Sequence, residues 1–269
     1  MAARNVYFPL LMKQTPEEFA ERIAANPEYA VRWARQAATK GDAQAQLAWG
    51  YMLLNGHGTE RDIDAAFRWF ANAARGGLDD AVNMVGRCHE RGWGTPVDAA
   101  AAVAWYRRAA SNDHAWARYN LGCQYMHGRG VTQDYSEALA LFARAARQGN
   151  EKAMNKLGRF REEGWSCRVK HSAAKTWYRR AAVRGCFRGQ FHLARFLAEA
   201  GDIDGAVQWF SASCNSAPLQ FCGEVGAALQ AHANPRLASI GREALARASG
   251  TVGATASALA ATALIKLSR

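Results

Sequence analysis

Apolar residues along this chain recur at helical rather than strand spacing, and the helical pattern is itself repeated. Gly50, Gly86, Gly122 and Gly158 lie 36 residues apart, with Ala194 one step later. Trp69, Trp105, Leu141 and Trp177 keep the same interval. A period of this length held through four copies predicts stacked supersecondary repeats rather than one globular core.

Each repeat reads as two helices. The first carries small and large apolar residues together: Ala45, Trp49 and Gly50; Ala81, Val85 and Gly86; Ala117, Leu121 and Gly122; Ala153, Leu157 and Gly158. Paired glycines follow at Gly56/Gly58, Gly92/Gly94 and Gly128/Gly130, residues suited to end a helix and redirect the chain. Asp62, Asp98 and Asp134 are placed to cap the second helix. That helix repeats Ala-Ala, then Trp-aromatic, then Ala-Ala, most fully at Ala65/Ala66, Trp69/Phe70, Ala73/Ala74 and at Ala173/Ala174, Trp177/Tyr178, Ala181/Ala182. At this spacing the aromatic stripe reads as core, with Trp69, Trp105 and Trp177 expected between layers. In the fourth repeat Ser166 replaces the second glycine and Lys170 the capping aspartate, which predicts an irregular turn there.

The ends diverge. Thr15-Pro16-Glu17-Glu18 is a helix-start signal, and Trp33 stands 36 residues before Trp69, so residues 1–41 read as a helical cap with a divergent leading repeat. Residues 42–188 hold four repeats, residues 189–249 two degenerate ones, and residues 250–269 an Ala-rich tail or capping helix. The uncharged run Ala248 to Ile265 has too few large apolar groups for a membrane span. No secretory signal is read at the start, and scattered cysteines fit a reducing compartment, so a cytoplasmic location and no membrane partner are expected.

The run A-x-x-x-L-G-x-x-Y-x-x-G-x-G-V-x-x-D, carried by Ala117, Leu121, Gly122, Tyr125, Gly128, Gly130, Val131 and Asp134, resembles the Sel1-like repeat family. So does the following A-x-x-W-[YF]-x-x-A-A-x-x-G, and the likeness covers about residues 26–190. The resemblance implies an all-α protein, a right-handed α/α solenoid of stacked antiparallel helix pairs related to tetratricopeptide arrays. It further implies a bacterial adaptor or scaffold that binds protein rather than an enzyme.

Charge narrows the partner. Residues 141–196 hold 14 Lys/Arg against 3 Asp/Glu, which accounts for the whole net charge of +11. Such a stretch attracts acidic partners. Advancing about 100° per residue from the helix-one glycine separates the core positions from an opposite face. In tetratricopeptide-type arrays that opposite face lines the concave groove, and the resemblance carries this over. The groove residues expected to bind are Tyr51, Asn83, Arg87, Trp116, Tyr119, His127, Lys152, Asn155, Arg159, Arg188, Phe191 and Arg195. Asparagine amides can hold a peptide backbone, and arginines can grip carboxylates by two parallel hydrogen bonds.

Other chemistry is weakly supported. Ser172-Ala173-Ala174-Lys175 matches S-x-x-K, but no S-D-N or K-T-G accompanies it and its alanines are repeat positions, so no catalytic residue is assigned. Cys123/His127 and Cys167/His171 have one-turn spacing but come from different parts of their repeats, so no metal site or cofactor is assigned. Cys214 and Cys222 have the spacing of a disulfide in secreted relatives; here free thiols are expected. The leading expectation is a non-catalytic adaptor for an acidic peptide or protein segment, with no small-molecule substrate. Single-stranded nucleic acid is the alternative, since a basic groove with Tyr and Trp suits it, although Asp80, Glu90, Glu162 and Glu163 on the same face oppose phosphates. An accessory role to an iron-uptake or oxygenase system is the remaining one the resemblance offers.

Overall fold

The computed structural model describes residues 27–250, and within them every regular element is an α-helix. The helix start at Thr15 and the tail beyond Gly250 lie outside the described residues. The helices are α1 (Pro27–Thr39), α2 (Ala43–Asn55), α3 (Ile63–Arg75), α4 (Asp79–Arg91), α5 (Ala99–Ser111), α6 (Ala115–His127) and α7 (Tyr135–Arg147). They continue as α8 (Glu151–Glu163), α9 (His171–Val183), α10 (Phe187–Glu199), α11 (Ile203–Ser216), α12 (Leu219–Leu229) and α13 (Pro235–Ser249). Successive helices joined by short turns pack as antiparallel pairs, so the fold is an α/α solenoid. None of these helices is long and apolar enough to cross a membrane.

The turns explain why the spacing is so regular. Asp62 accepts a hydrogen bond from the Ala65 amide at 2.8 Å and Asp98 from that of Ala101 at 2.9 Å, so each satisfies a free donor at a helix start. Asp42, His114 and Asn150 do the same for α2, α6 and α8. The fourth repeat corrects the expectation of an irregular turn. Ser166 adopts φ 51°, the left-handed conformation that Gly58, Gly94 and Gly130 hold in their turns. The Lys170 amide still donates to the Arg161 carbonyl at 2.8 Å, as Asp98 does to His89 at 2.9 Å. Only the side-chain cap is lost, because lysine has no acceptor.

The core corrects a second expectation. Trp69, Trp105 and Trp177 are half-buried, whereas the next residue in each helix is fully enclosed: Phe70, Tyr106 and Tyr178 have 0% exposure. The cause is the first-helix glycine. A methyl group added to Gly50, Gly86 or Gly158 would lie 2.5 to 2.7 Å from the Phe70, Tyr106 or Tyr178 ring, respectively. The missing side chain is the slot that the ring fills. Trp105 and Trp177 sit at the rim of that layer, with Arg108 and Arg180 stacked over their indoles.

Packing divides the chain into two compact units, one ending at Ala138 and the other beginning at Leu139. In the first, α1 to α6 contribute to a core around Met52, Phe70, Met84 and Val85. In the second, the core runs through Tyr178, Leu193, Phe210, Val225 and Leu237, with Ala194 in the glycine register. Cys214 and Cys222 lie there as buried free thiols, the Cys222 sulfur 3.1 Å from the Cys214 carbonyl oxygen.

Candidate functional site

In the first compact unit the expected groove residues project from α2, α4 and α6. Tyr51 leans edge-to-face on Phe70 at 5.3 Å, and burial pushes its hydroxyl up to about 12. Asn83 is buried and accepts from the Asn120 amide at 2.8 Å, which ties α4 to α6. Asp80 and His114 join the same two helices at 2.9 Å. Arg87 stacks over the Trp93 indole at 5.1 Å and has no carboxylate partner among the described residues. On α6, Trp116 is 40% exposed and meets Tyr119 edge-on at 6.0 Å; His127 is exposed one turn beyond Cys123.

Glu90 is engaged by its own chain. It accepts from the Tyr106 hydroxyl at 2.6 Å, and Arg129 approaches its other oxygen at 3.3 Å. Burial first and the Glu90 bond second hold the Tyr106 phenol far above the usual tyrosine range. Two of the acidic residues expected to oppose phosphates, Glu90 and Glu162, are thus committed inside the protein, since Glu162 repeats the arrangement.

In the second compact unit, Glu162 accepts from the Tyr178 hydroxyl at 2.7 Å and pairs with Arg195. Arg195, expected to reach into the groove, is 5% exposed, with Glu199 on its other side at 3.0 Å and the Phe196 ring beneath it. Burial works against its charge, but Glu162 and Glu199 more than offset that, leaving it above the ordinary arginine value. Its guanidinium is occupied by the chain's own carboxylates. Phe191 is likewise drawn inward, packed against Phe210 and Phe221.

Two other cations are presented differently. Arg159 lies over the Trp165 indole at 5.0 Å, and Arg188 over Phe187 at 4.7 Å and Phe221 at 5.7 Å. Neither has a carboxylate partner among the described residues, so each has a ring on one face and its N–H edges available. Lys152 is exposed on the same helix as Arg159. On the same helix Asn155 is 4% exposed and its Oδ1 makes no hydrogen bond among the described residues; on α10 His192, whose Nδ1 also makes none, lies within reach of the Arg159 and Arg188 charges. His192 stacks on Tyr178 at 4.5 Å. The supporting residues Trp93, Trp165, His192 and Phe221 were not expected from the sequence, although Trp93 and Trp165 share a register two repeats apart.

His192 yields a pH prediction. Burial lowers its pKa well below 6.5, and the charges of Arg195, Arg159, Arg188 and Lys156 lower it further. The unfolded chain therefore binds a proton that the folded chain refuses. Stability contributed by the neutral imidazole is complete above about pH 6.5 and falls as pH drops below it, by up to about 1.4 kcal/mol per pH unit. Urea denaturation at pH 7.5 and 5.0 checks this. His192→Phe, which keeps the stack on Tyr178, is expected to flatten the loss, and an unchanged slope would remove His192 as its source.

Ser172 and Lys175 lie in the first two turns of α9, and no group of three or more His, Cys, Asp or Glu among the described residues is placed to hold a metal ion.

Comparison with known proteins bears on the fold. Among curated proteins none matches the sequence. A Sel1 repeat protein from Oxalobacter formigenes has a similar structure, with 25% identity and a TM-score of 0.71, covering 89% of this chain and 98% of that one. A protective antigen of uropathogenic Escherichia coli displaying an SLR fold is 28% identical with a TM-score of 0.62. The match covers 82% of this chain but only 48% of the antigen. An immunity protein from Pseudomonas aeruginosa shares the fold at 15% identity and a TM-score of 0.56. The Sel1 repeat itself is matched at residues 20–42, 43–78, 79–114, 117–150 and 151–186, more than half of the sequence, and the chain therefore belongs to the Sel1 repeat family.

Proposed function

We propose that this protein is a non-catalytic adaptor that binds an acidic peptide or protein segment along the first-helix face of its repeats. Sel1 repeat proteins are in general protein-interaction scaffolds. The finer reading rests on one observation: Arg159 and Arg188 are held on aromatic faces without a carboxylate of their own, beside the internally neutralised Arg195. A guanidinium fixed in this way offers two parallel donors to a carboxylate and loses little freedom in doing so. The binding set accordingly becomes Arg159, Arg188 and Lys152, with Arg195 acting from behind as a structural charge.

A fluorescein-labelled dodecaglutamate peptide, titrated against the protein by anisotropy, tests this. Each charge-assisted hydrogen bond is worth roughly 1.5–3 kcal/mol, so Arg159→Ala with Arg188→Ala is expected to weaken binding at least tenfold. Arg179→Ala with Arg180→Ala removes equal charge from exposed positions of α9 and should matter much less. Equal losses in the two double variants would reduce the site to a diffuse basic surface. Tighter binding of a labelled dodecathymidylate, with a steep salt dependence, would favour nucleic acid instead.

A further inference from the structure

Beneath the 36-residue period lies one twice as long. The second and fourth repeats share Asn83/Asn155, Arg87/Arg159, Glu90/Glu162, Trp93/Trp165 and Tyr106/Tyr178, each pair 72 residues apart. At the same registers the first and third repeats carry Leu47/Tyr119, Tyr51/Cys123, Leu54/Met126 and Phe70/Phe142. The structure repeats with the sequence. The tyrosine hydroxyl donates to the glutamate at 2.6 Å in the second repeat and 2.7 Å in the fourth, and the arginine stacks on the tryptophan at 5.1 and 5.0 Å.

The consequence is an alternation of surface chemistry. Where the ring is tyrosine, its hydroxyl needs a buried acceptor and the glutamate supplies one. That glutamate's charge is met by Arg129 or Arg195, so the groove arginine of the same repeat stays uncompensated. Where the ring is phenylalanine, no such acceptor is needed, and the register is apolar. In the first compact unit, the hydrogen bonds Asn83–Asn120 and Asp80–His114 hold the Arg87 face of α4 against the Trp116 and Tyr119 face of α6. A stacked guanidinium on α4 and the Trp116–Tyr119 pair on α6, with Trp116 exposed, therefore belong to neighbouring helices of one face, and these are the residue types that dominate binding at protein interfaces.

We infer that the groove reads a partner segment in which a carboxylate is accompanied by a large apolar side chain, not a uniformly acidic one. This deepens the adaptor reading above and rests on it. Packed helices lie about 8–10 Å apart, and Arg87 stands seven residues further along its helix than Trp116 does along α6, a further offset of about 10 Å. An extended chain advances about 3.3 Å per residue, so the two anchors should fall about four residues apart. Charge complementarity supplies the acidic anchor through Arg87, and the exposed indole of Trp116 the apolar one.

Selection from a phage-displayed library of random dodecapeptides, on the full chain, tests the pairing. Enriched peptides should carry Asp or Glu with Phe, Leu, Ile, Met or Trp three to five residues away. Selection on the Arg87→Ala, Arg159→Ala double variant should lose the acidic preference. Trp116→Ala should keep that preference, lose the apolar one, and weaken the best peptide at least tenfold without changing the melting temperature. Acidic peptides with no apolar companion would overturn this inference and leave the acidic groove standing. Enrichment without acidic residues, or none at all, would overturn both.

Discussion

Replacing Tyr178 by alanine is expected to cost about 4 kcal/mol, and replacing the adjacent Trp177 less than half as much. The larger indole looks the more valuable from composition alone. Tyr178, however, is fully enclosed, fills the slot left by Gly158, stacks on His192 and donates to Glu162. Its removal opens a cavity and leaves a buried carboxylate short of a donor, two penalties that add. Trp177 is half-buried and carries Arg180 over its ring, so much of its surface is shielded by a residue that can follow it. Urea denaturation of the two variants, compared at equal m-value, reads the difference directly. Equal losses would mean that the tryptophan, not the tyrosine, anchors the layer.

That contrast shows what the sequence can and cannot disclose. Period, helix limits and turns were legible because they depend on local chemistry: a glycine at the end of a helix, an aspartate at the start of the next. Trp177 and Tyr178 are neighbours about 100° apart on the helix, and periodicity places both near the core. What separates them is Gly158, 20 residues earlier in sequence and in van der Waals contact with the Tyr178 ring. The burial of Arg195 has a related cause. A helical wheel gives the direction of the Cα–Cβ bond, while a long side chain chooses its own end-point. The partner it finds, Glu162, is 33 residues away. The two-repeat alternation was present in the sequence, but aligning all repeats on one consensus averages it away. The turn at Ser166 shows the opposite case: an unusual residue stands on the usual backbone, because the serine adopts the glycine conformation.

Glu162→Ala is the companion prediction, with an expected loss of about 3–5 kcal/mol. The Arg195 and Glu162 side chains are 6% and 8% exposed, so neither charge can be satisfied by solvent if its partner is removed. Alanine here leaves Arg195 with Glu199 alone and the Tyr178 hydroxyl without an acceptor. Replacing the whole set should cost far less than breaking it, because a buried ion pair exchanged for packed apolar groups is often neutral. The first repeat supplies the template, with Leu54 and Phe70 at the registers of Glu162 and Tyr178. The triple variant Glu162→Leu, Tyr178→Phe, Arg195→Leu is therefore expected to recover most of the stability that Glu162→Ala loses. Denaturation midpoints of the single and triple variants decide the matter, and dodecaglutamate binding to the triple variant decides its functional counterpart. Binding retained by the triple variant fits Arg195 as a structural charge behind the groove. A loss under 1 kcal/mol for Glu162→Ala, with binding abolished in the triple variant, would return Arg195 to the groove as a ligand-gripping cation and make Glu162 its competitor.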